Sequence, residues 1–323
     1  MNKIPDISKQ IYKEEVMNVL EYQYSKLGPY WSNAQLEWLN SSYKVFNNHD
    51  KFLIIIYLKQ KTLDFYSRNF IKLTYDEFYS KDSFEVGKIS VIELCKQLNI
   101  PKESARRKLL ELEKANIIKR HNKKCFVDRT AIPLSKPINS IKRISRFLNI
   151  LSNVLKENKI LSQSFKSNDI EKTLKKNFSY VWKLYYDFQI PLMLEWKNIF
   201  VDFETFHIWG ICGVNDLVNK KENKLTINRE NFIKDMFNFD SKENIGINAM
   251  SISDISGIPR ATVVRKLNKL VKKNYLKINS KKQYKLENTN LKEIIPVHKN
   301  MVNELSKFSQ LIFNLLIANR KKK

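Results

Sequence analysis

The sequence predicts a mainly α-helical protein with small β-hairpins, built as two tandem units of similar plan. Three observations lead there. Ile100-Pro101-Lys-Glu-Ser-Ala-Arg-Arg107-Lys108-Leu109 returns 158 residues later as Ile258-Pro259-Arg-Ala-Thr-Val-Val-Arg265-Lys266-Leu267, and residues 88–128 and 246–286 share twelve identities in 41 ungapped positions. Apolar residues around both segments recur at helical spacing. Each repeated segment also ends in two short β-prone runs about a polar turn. The same offset pairs Leu36-Glu37-Trp38 with Leu194-Glu195-Trp196 and Tyr22 with Tyr180. After small shifts Pro137 meets Pro296, and Arg146-Phe147 meets Lys307-Phe308, so the repetition spans nearly the whole chain.

In chain order, helices are expected over residues 14–27 and 35–46, before the first repeated segment at about 88–129, and then over 141–155. A polar stretch at 156–169 marks the boundary between units 1–160 and 161–323. Helices over 172–188 and 192–203 follow, then the second repeated segment at about 246–287 and a helix over 301–316.

Within the first segment, Ile92, Leu94 and Leu98 give an apolar helical face. Asn99-Ile100-Pro101 then breaks it, because proline disfavours helix in the residue before it yet suits the first turn of the next helix. In that next helix Ala105, Leu109 and Leu112 share one face. Two short helices joined by a tight turn form a helix-turn-helix, and the hairpin behind it, turning at Asn122-Lys123, is a wing. The second segment repeats this order with Ile252 and Ile255, Gly257-Ile258, and Val263, Leu267 and Leu270, followed by strands over 275–279 and 283–287.

The block resembles the winged helix-turn-helix of bacterial MarR-type transcriptional regulators. The likeness rests chiefly on Ile252-Ser-Asp-Ile-Ser-Gly-Ile-Pro-Arg-Ala-Thr-Val-Val-Arg-Lys-Leu-Asn-Lys-Leu270. It implies two tandem winged helix-turn-helix units, each flanked by packing helices and related by a pseudo-two-fold axis. In that family the flanking helices form a dimer interface and two subunits grip one double-stranded DNA. Here both would be written on one chain, which would act as a monomer on a pseudo-palindromic site.

The net charge of +25, from 58 Lys and Arg against 33 Asp and Glu, points to a polyanionic partner. Lysine is abundant throughout the chain, so arginine is the sharper tracer. Of eleven arginines, six (Arg106, Arg107, Arg120, Arg129, Arg260, Arg265) lie in the repeated segments. With Ala105 facing the core, Arg107 lies about 200° away, and Lys114 and Glu103 point outward too. Arg265, Ala261 and Lys272 take the matching places, and Glu103 opposite Ala261 implies that the two units read different half-sites. Arginine's planar fork can hold a guanine edge or a phosphate by two hydrogen bonds. Lys102, Ser104 and Arg106, with Arg260 and Thr262, surround the first turns, where a helix N-terminus favours phosphate. Lys123 and Lys124, with Lys281 and Lys282, sit at the wing tips, suited to backbone contact.

Other chemistry finds little support. His49, His121, His207 and His298 lack metal-ligand spacing to one another or to the cysteines, and six glycines leave little room for a phosphate loop. No metal, cofactor or catalytic role is expected. Cys125 beside Lys123 and Lys124 could carry a lowered pKa, though a lone cysteine in a wing is more often inert. The aromatic stripes Tyr22/Tyr24/Tyr30/Trp31 and Tyr180/Trp182/Tyr185/Tyr186 read as helix-packing surface rather than an effector pocket. The sequence leaves any small-molecule effector unknown. Three widely spaced cysteines, and the lack of a membrane-length apolar run, place the chain in the cytoplasm at the nucleoid. A plasmid- or phage-type replication initiator and a winged-helix protein-interaction scaffold remain the alternatives to a transcriptional regulator.

Overall fold

The computed structural model describes residues 9–121, 124–132, 136–219, 227–238, 246–287 and 291–319. The first half runs α1 (Lys13–Tyr22), α2 (Tyr24–Phe46), α3 (His49–Arg68), α4 (Tyr75–Phe78), β1 (Ser83–Glu85), α5 (Val91–Leu98), α6 (Lys102–Lys114), β2 (Ile118–His121), β3 (Lys124–Asp128) and α7 (Ile138–Glu157). The second half runs α8 (Ser167–Lys176), α9 (Phe178–Phe200), α10 (Phe203–Asn219), α11 (Arg229–Asn238), α12 (Ala249–Ser256), α13 (Arg260–Lys272), β4 (Leu276–Ile278), β5 (Tyr284–Leu286) and α14 (Leu291–Ala318). The molecule is therefore mainly helical, with two small antiparallel sheets, β1-β3-β2 and β4-β5.

Side-chain caps and left-handed residues set several boundaries. Ser90 Oγ caps α5, and Asn48 Oδ1 accepts from the Lys51 N–H at the start of α3. Asn248 Oδ1 takes the N–H groups of both Met250 and Ser251 to open α12. Asn99 (φ 48°) ends α5, and Gly257 (φ 75°) ends α12, both in the left-handed region that stops a helix.

Several elements differ from the sequence expectation. The helices expected at 14–27 and 35–46 are α1 and α2 with the break moved to Gln23: α2 runs unbroken through Pro29, and α9 runs through Pro191. An interior proline costs about 3 kcal/mol of helix stability, which the burial of Trp31, Trp38, Trp182 and Trp196 on these helices outweighs. Helix α3 was visible in the sequence only as an apolar run. Phe52, Leu53, Ile54, Ile55, Ile56 and Leu58 are all buried, so no polar face betrays the period. Strand β1, pairing Phe84 with Val127, was not anticipated. Ile92 is 71% exposed, leaving Leu94 and Leu98 as the buried face of α5.

The offset also changes along the chain. Helices α5 and α12, like α6 and α13, have equal lengths and start 158 residues apart, at Val91 and Ala249 and at Lys102 and Arg260. The leading helices start 154 residues apart, at Lys13 and Ser167, Tyr24 and Phe178, and His49 and Phe203. Leu36-Glu37-Trp38 and Leu194-Glu195-Trp196 therefore stand about one helical turn out of register.

The two halves cover each other. Helix α1 packs on α14 and α8 on α7, while α3 packs on α9 and α10 on α2. The turns between α5 and α6 and between α12 and α13 are held by the other half as well. Lys197 Nζ donates to the carbonyls of Leu98 (3.4 Å) and Asn99 (3.0 Å), and Asn99 bonds Asn198. Opposite, Gly257 lies against Tyr43 and Lys44. Asp50 joins these contacts, 3.1 Å from Lys197 Nζ and 3.5 Å from Lys108 Nζ. Both ammonium groups are buried, so Asp50 is what makes their burial tolerable. Asp50→Asn should destabilise the protein by about 2–3 kcal/mol, seen as a lower urea midpoint with an unchanged slope.

Candidate nucleic-acid interface

Helices α6 and α13 begin immediately after Pro101 and Pro259, and neither has a side-chain cap. Their first-turn N–H groups therefore remain available to an outside acceptor. Along each helix the register is the same. Ala105, Leu109 and Leu112 in α6, and Val263, Leu267 and Leu270 in α13, are buried at 2% exposure or less. Lys102, Arg106, Arg107 and Lys114 are exposed on the first helix, and Arg260, Arg265 and Lys272 on the second.

Ser104 and Thr262 are half-buried, and Ser104 Oγ accepts from Lys108 Nζ at 2.9 Å, turning it toward the core. Lys124 is exposed and pairs with Glu85 at 3.1 Å. Lys281 and Lys282 are exposed in the β4–β5 turn, where Asn279 Oδ1 accepts from the Lys281 and Gln283 N–H groups. Lys123 lies outside the described residues.

The two helices differ in charge. Helix α13 carries Arg260, Arg265, Lys266, Lys269 and Lys272 and no acidic residue. Helix α6 carries Glu103, Glu111 and Glu113 among its cations. Glu111 sits 3.8 Å from Arg107 and 2.6 Å from Lys51, and Glu113 pairs with Arg120 at 2.7 Å. Lys51 and Arg107 hold the Glu111 carboxyl below its ordinary range. Lys269, half-buried, is a cation the sequence reading omitted; its place four residues after Arg265 puts it on the neighbouring strip of the same face.

Two arginines counted as tracers lie elsewhere in character. Arg120 is engaged with Glu113, and Arg129 is buried at 6% exposure, its guanidinium 4.5 Å from the Phe78 ring centre and 4.7 Å from that of Tyr79. Arg129 Nη1 donates to the Lys81 carbonyl at 2.6 Å, so this arginine braces the β1–β3 sheet from within. Cys125 is buried too, and burial pushes its thiol up to about 11, the direction of the inert cysteine favoured above rather than of a thiol activated by its lysine neighbours.

His49 and His207 meet between the halves: Nε2 of one lies 3.1 Å from Nδ1 of the other, and His207 Nε2 lies 2.7 Å from Asn40 Oδ1. Among the described residues no group of three or more metal-ligating side chains gathers here or elsewhere. No helix of the described residues is long and apolar enough to cross a membrane. Compared with protein-family models, curated proteins and solved structures, the chain matches none.

Burial pushes His207 down to about 3, and lowers His49 well below its ordinary 6.5, with His207 opposing its charge as well. The unfolded chain therefore takes up protons as pH falls below 6.5 while the folded one does not. Stability is fully present above that value and declines toward pH 3, by roughly 1.4 kcal/mol per pH unit for each imidazole at most. Tm measured from pH 7.5 to 5 should fall, and His207→Gln should make that fall shallower.

Proposed function

We propose that the chain is a sequence-specific double-stranded DNA-binding regulator, a pseudo-dimer of two winged helix-turn-helix units that arose by internal duplication. One observation carries this reading. Helices α6 and α13, equal in length, each open on an uncapped proline turn, bury leucine at their eighth and eleventh positions, and expose arginine at their sixth. A helix built this way presents its N-terminal turn and one arginine to a DNA groove while the leucines fix it to the core.

In this reading Lys102, Arg106, Arg260, Lys269, Lys281 and Lys282 neutralise phosphates, and Arg107 and Arg265 read or clamp the site. Two half-sites about 34 Å apart, one turn of duplex, are read by a single chain at the nucleoid. The protein acts as a binder rather than a catalyst, and needs no cofactor for this.

Binding of the full chain to duplexes selected from random sequence, followed by fluorescence anisotropy across a salt series, tests the assignment. Arg107→Ala with Arg265→Ala should weaken binding at moderate salt by roughly 1.5 to 4 orders of magnitude, each arginine contributing about 1–3 kcal/mol. The salt dependence should flatten by roughly one counterion for each phosphate no longer neutralised. Unchanged affinity would overturn the assignment, and recovered direct rather than inverted repeats would overturn the regulator's pseudo-palindromic site. Arg265→Ala alone should weaken binding more than Arg107→Ala alone, because Glu111 already offsets part of the Arg107 charge.

A further inference from the structure

We propose that the chain holds, where its two halves meet, a binding site for one neutral, single-ring aromatic molecule, lined by α2, α9, α10 and α14 and anchored by Gln189. A cavity of about 140 Å³ lies there. Four of the chain's five tryptophans, Trp31, Trp38, Trp196 and Trp209, line it, and no Asp, Glu, Lys or Arg is among the lining residues. Ions are thereby excluded as occupants. An apolar cavity of about 150 Å³ stays dry and takes up benzene, so the size fits one aromatic ring.

Two glycines keep this space open. Gly210 and Gly213 lie inside α10, where glycine weakens a helix relative to alanine. A Cβ on Gly210 would meet no atom within 4 Å, and one on Gly213 would meet only the Leu286 side chain at 3.7 Å or beyond. Counted from their first residues, α3 carries Ile56 and Lys59 at these eighth and eleventh positions, both buried. Around them, between α2, α3, α7 and α9, lies a smaller pocket of about 100 Å³. At these matching positions α10 thus carries glycine where α3 carries larger side chains, giving up packing and helix stability at the same place.

Gln189 adds the second, independent observation. It lines the cavity at 1% exposure, and neither its Oε1 nor its Nε2 has a hydrogen-bond partner. The Trp31 Nε1 and His298 Nδ1 atoms, on other lining residues, are also without partners. A buried amide with both polar atoms unmet calls for an occupant carrying a donor and an acceptor. Burial lowers His298 to about 3, so this wall stays neutral at physiological pH. The aromatic stripe through Tyr24 and Trp31, expected to be packing surface alone, forms part of the cavity wall.

The test titrates the full chain, without DNA, with fluorobenzene and with 4-fluoroaniline, followed by fluorine NMR. A saturable shift at one site per chain is expected for both probes, with 4-fluoroaniline binding roughly tenfold tighter through the Gln189 amide. Gly210→Ile with Gly213→Ala should abolish saturation while raising Tm. Gly210→Ala, which adds one methyl to open space, should weaken binding several-fold if the larger change disturbs folding. Gln189→Leu should keep fluorobenzene binding and erase the preference for 4-fluoroaniline. No saturation with the unaltered protein, or binding unchanged in the filled variants, would overturn the site; a preference surviving Gln189→Leu would overturn the anchor. Because no DNA is present, these outcomes are separate from the fate of the DNA-binding assignment.

Discussion

The structure depends on covering helix α3. Its Phe52–Leu58 stretch is apolar on nearly every side, and a helix of that kind has no face to turn to water. The first half alone cannot enclose it: α9 of the second half supplies the opposing surface, and α2 in turn packs on α10. Neither half is therefore a domain in the sense of a separable core. Burial of this extent, at roughly 25 cal/mol per Å² of apolar area, makes the pairing of the halves part of folding itself. The polar contacts that cross between halves, Asp50 with Lys197 and Lys197 with the end of α5, then fix orientation rather than supply the main driving force.

Much of this was legible in the sequence, and what was not failed for physical reasons. The α5–α6 and α12–α13 pairs stood out because proline, a short turn and leucines at helical spacing are local properties; the expected core residues of α6 and α13 are buried, whereas Ile92 of α5 and Ile255 of α12 are exposed. Helices α3 and α10 left no amphipathic trace because both faces are covered. The gaps expected between 27 and 35 and between 188 and 192, where Pro29 and Pro191 fall, are helical because the packing that overrides these prolines comes from residues distant in the chain. Arg129 looked like a surface cation because nothing near it in sequence announces the Phe78, Tyr79 and Phe84 rings around it. The site residues fared likewise: spacing placed Arg107 and Arg265 outward, but it could not show Glu111 beside only one of them.

Set side by side, the halves share a scaffold and differ in detail. Where β1 pairs three residues with β3, the second half makes, among the described residues, a single bridge between Ile247 and Tyr284. Where α6 balances its cations with three glutamates, α13 has none. Where Ile56 and Lys59 fill the core, Gly210 and Gly213 open it. Each difference loosens or charges the second half relative to the first. In two separate identical chains any such change would appear twice; joined in one chain, one half can keep the stable packing while the other departs from it.

The departures converge on α10. At its start Asp202 caps the helix through the Thr205 N–H and holds Lys266 of α13 at 2.5 Å. Near its other end Asp216 Oδ2 accepts the Leu286 N–H of β5 at 3.0 Å. Helix α3 is tied to its own unit in the same two places, by Asp50 to Lys108 and by Thr62 to the Glu85 carbonyl. Each of these helices is thus a strut between the shared core and one helix-hairpin unit. Both glycines lie between the two ties of α10: Gly210 is bare toward open space, while Gly213 faces the Leu286 side chain of β5. Lys266 thus fastens α13 to the start of α10 by an ion pair of 2.5 Å, where the matching pair between Lys108 and Asp50 spans 3.5 Å.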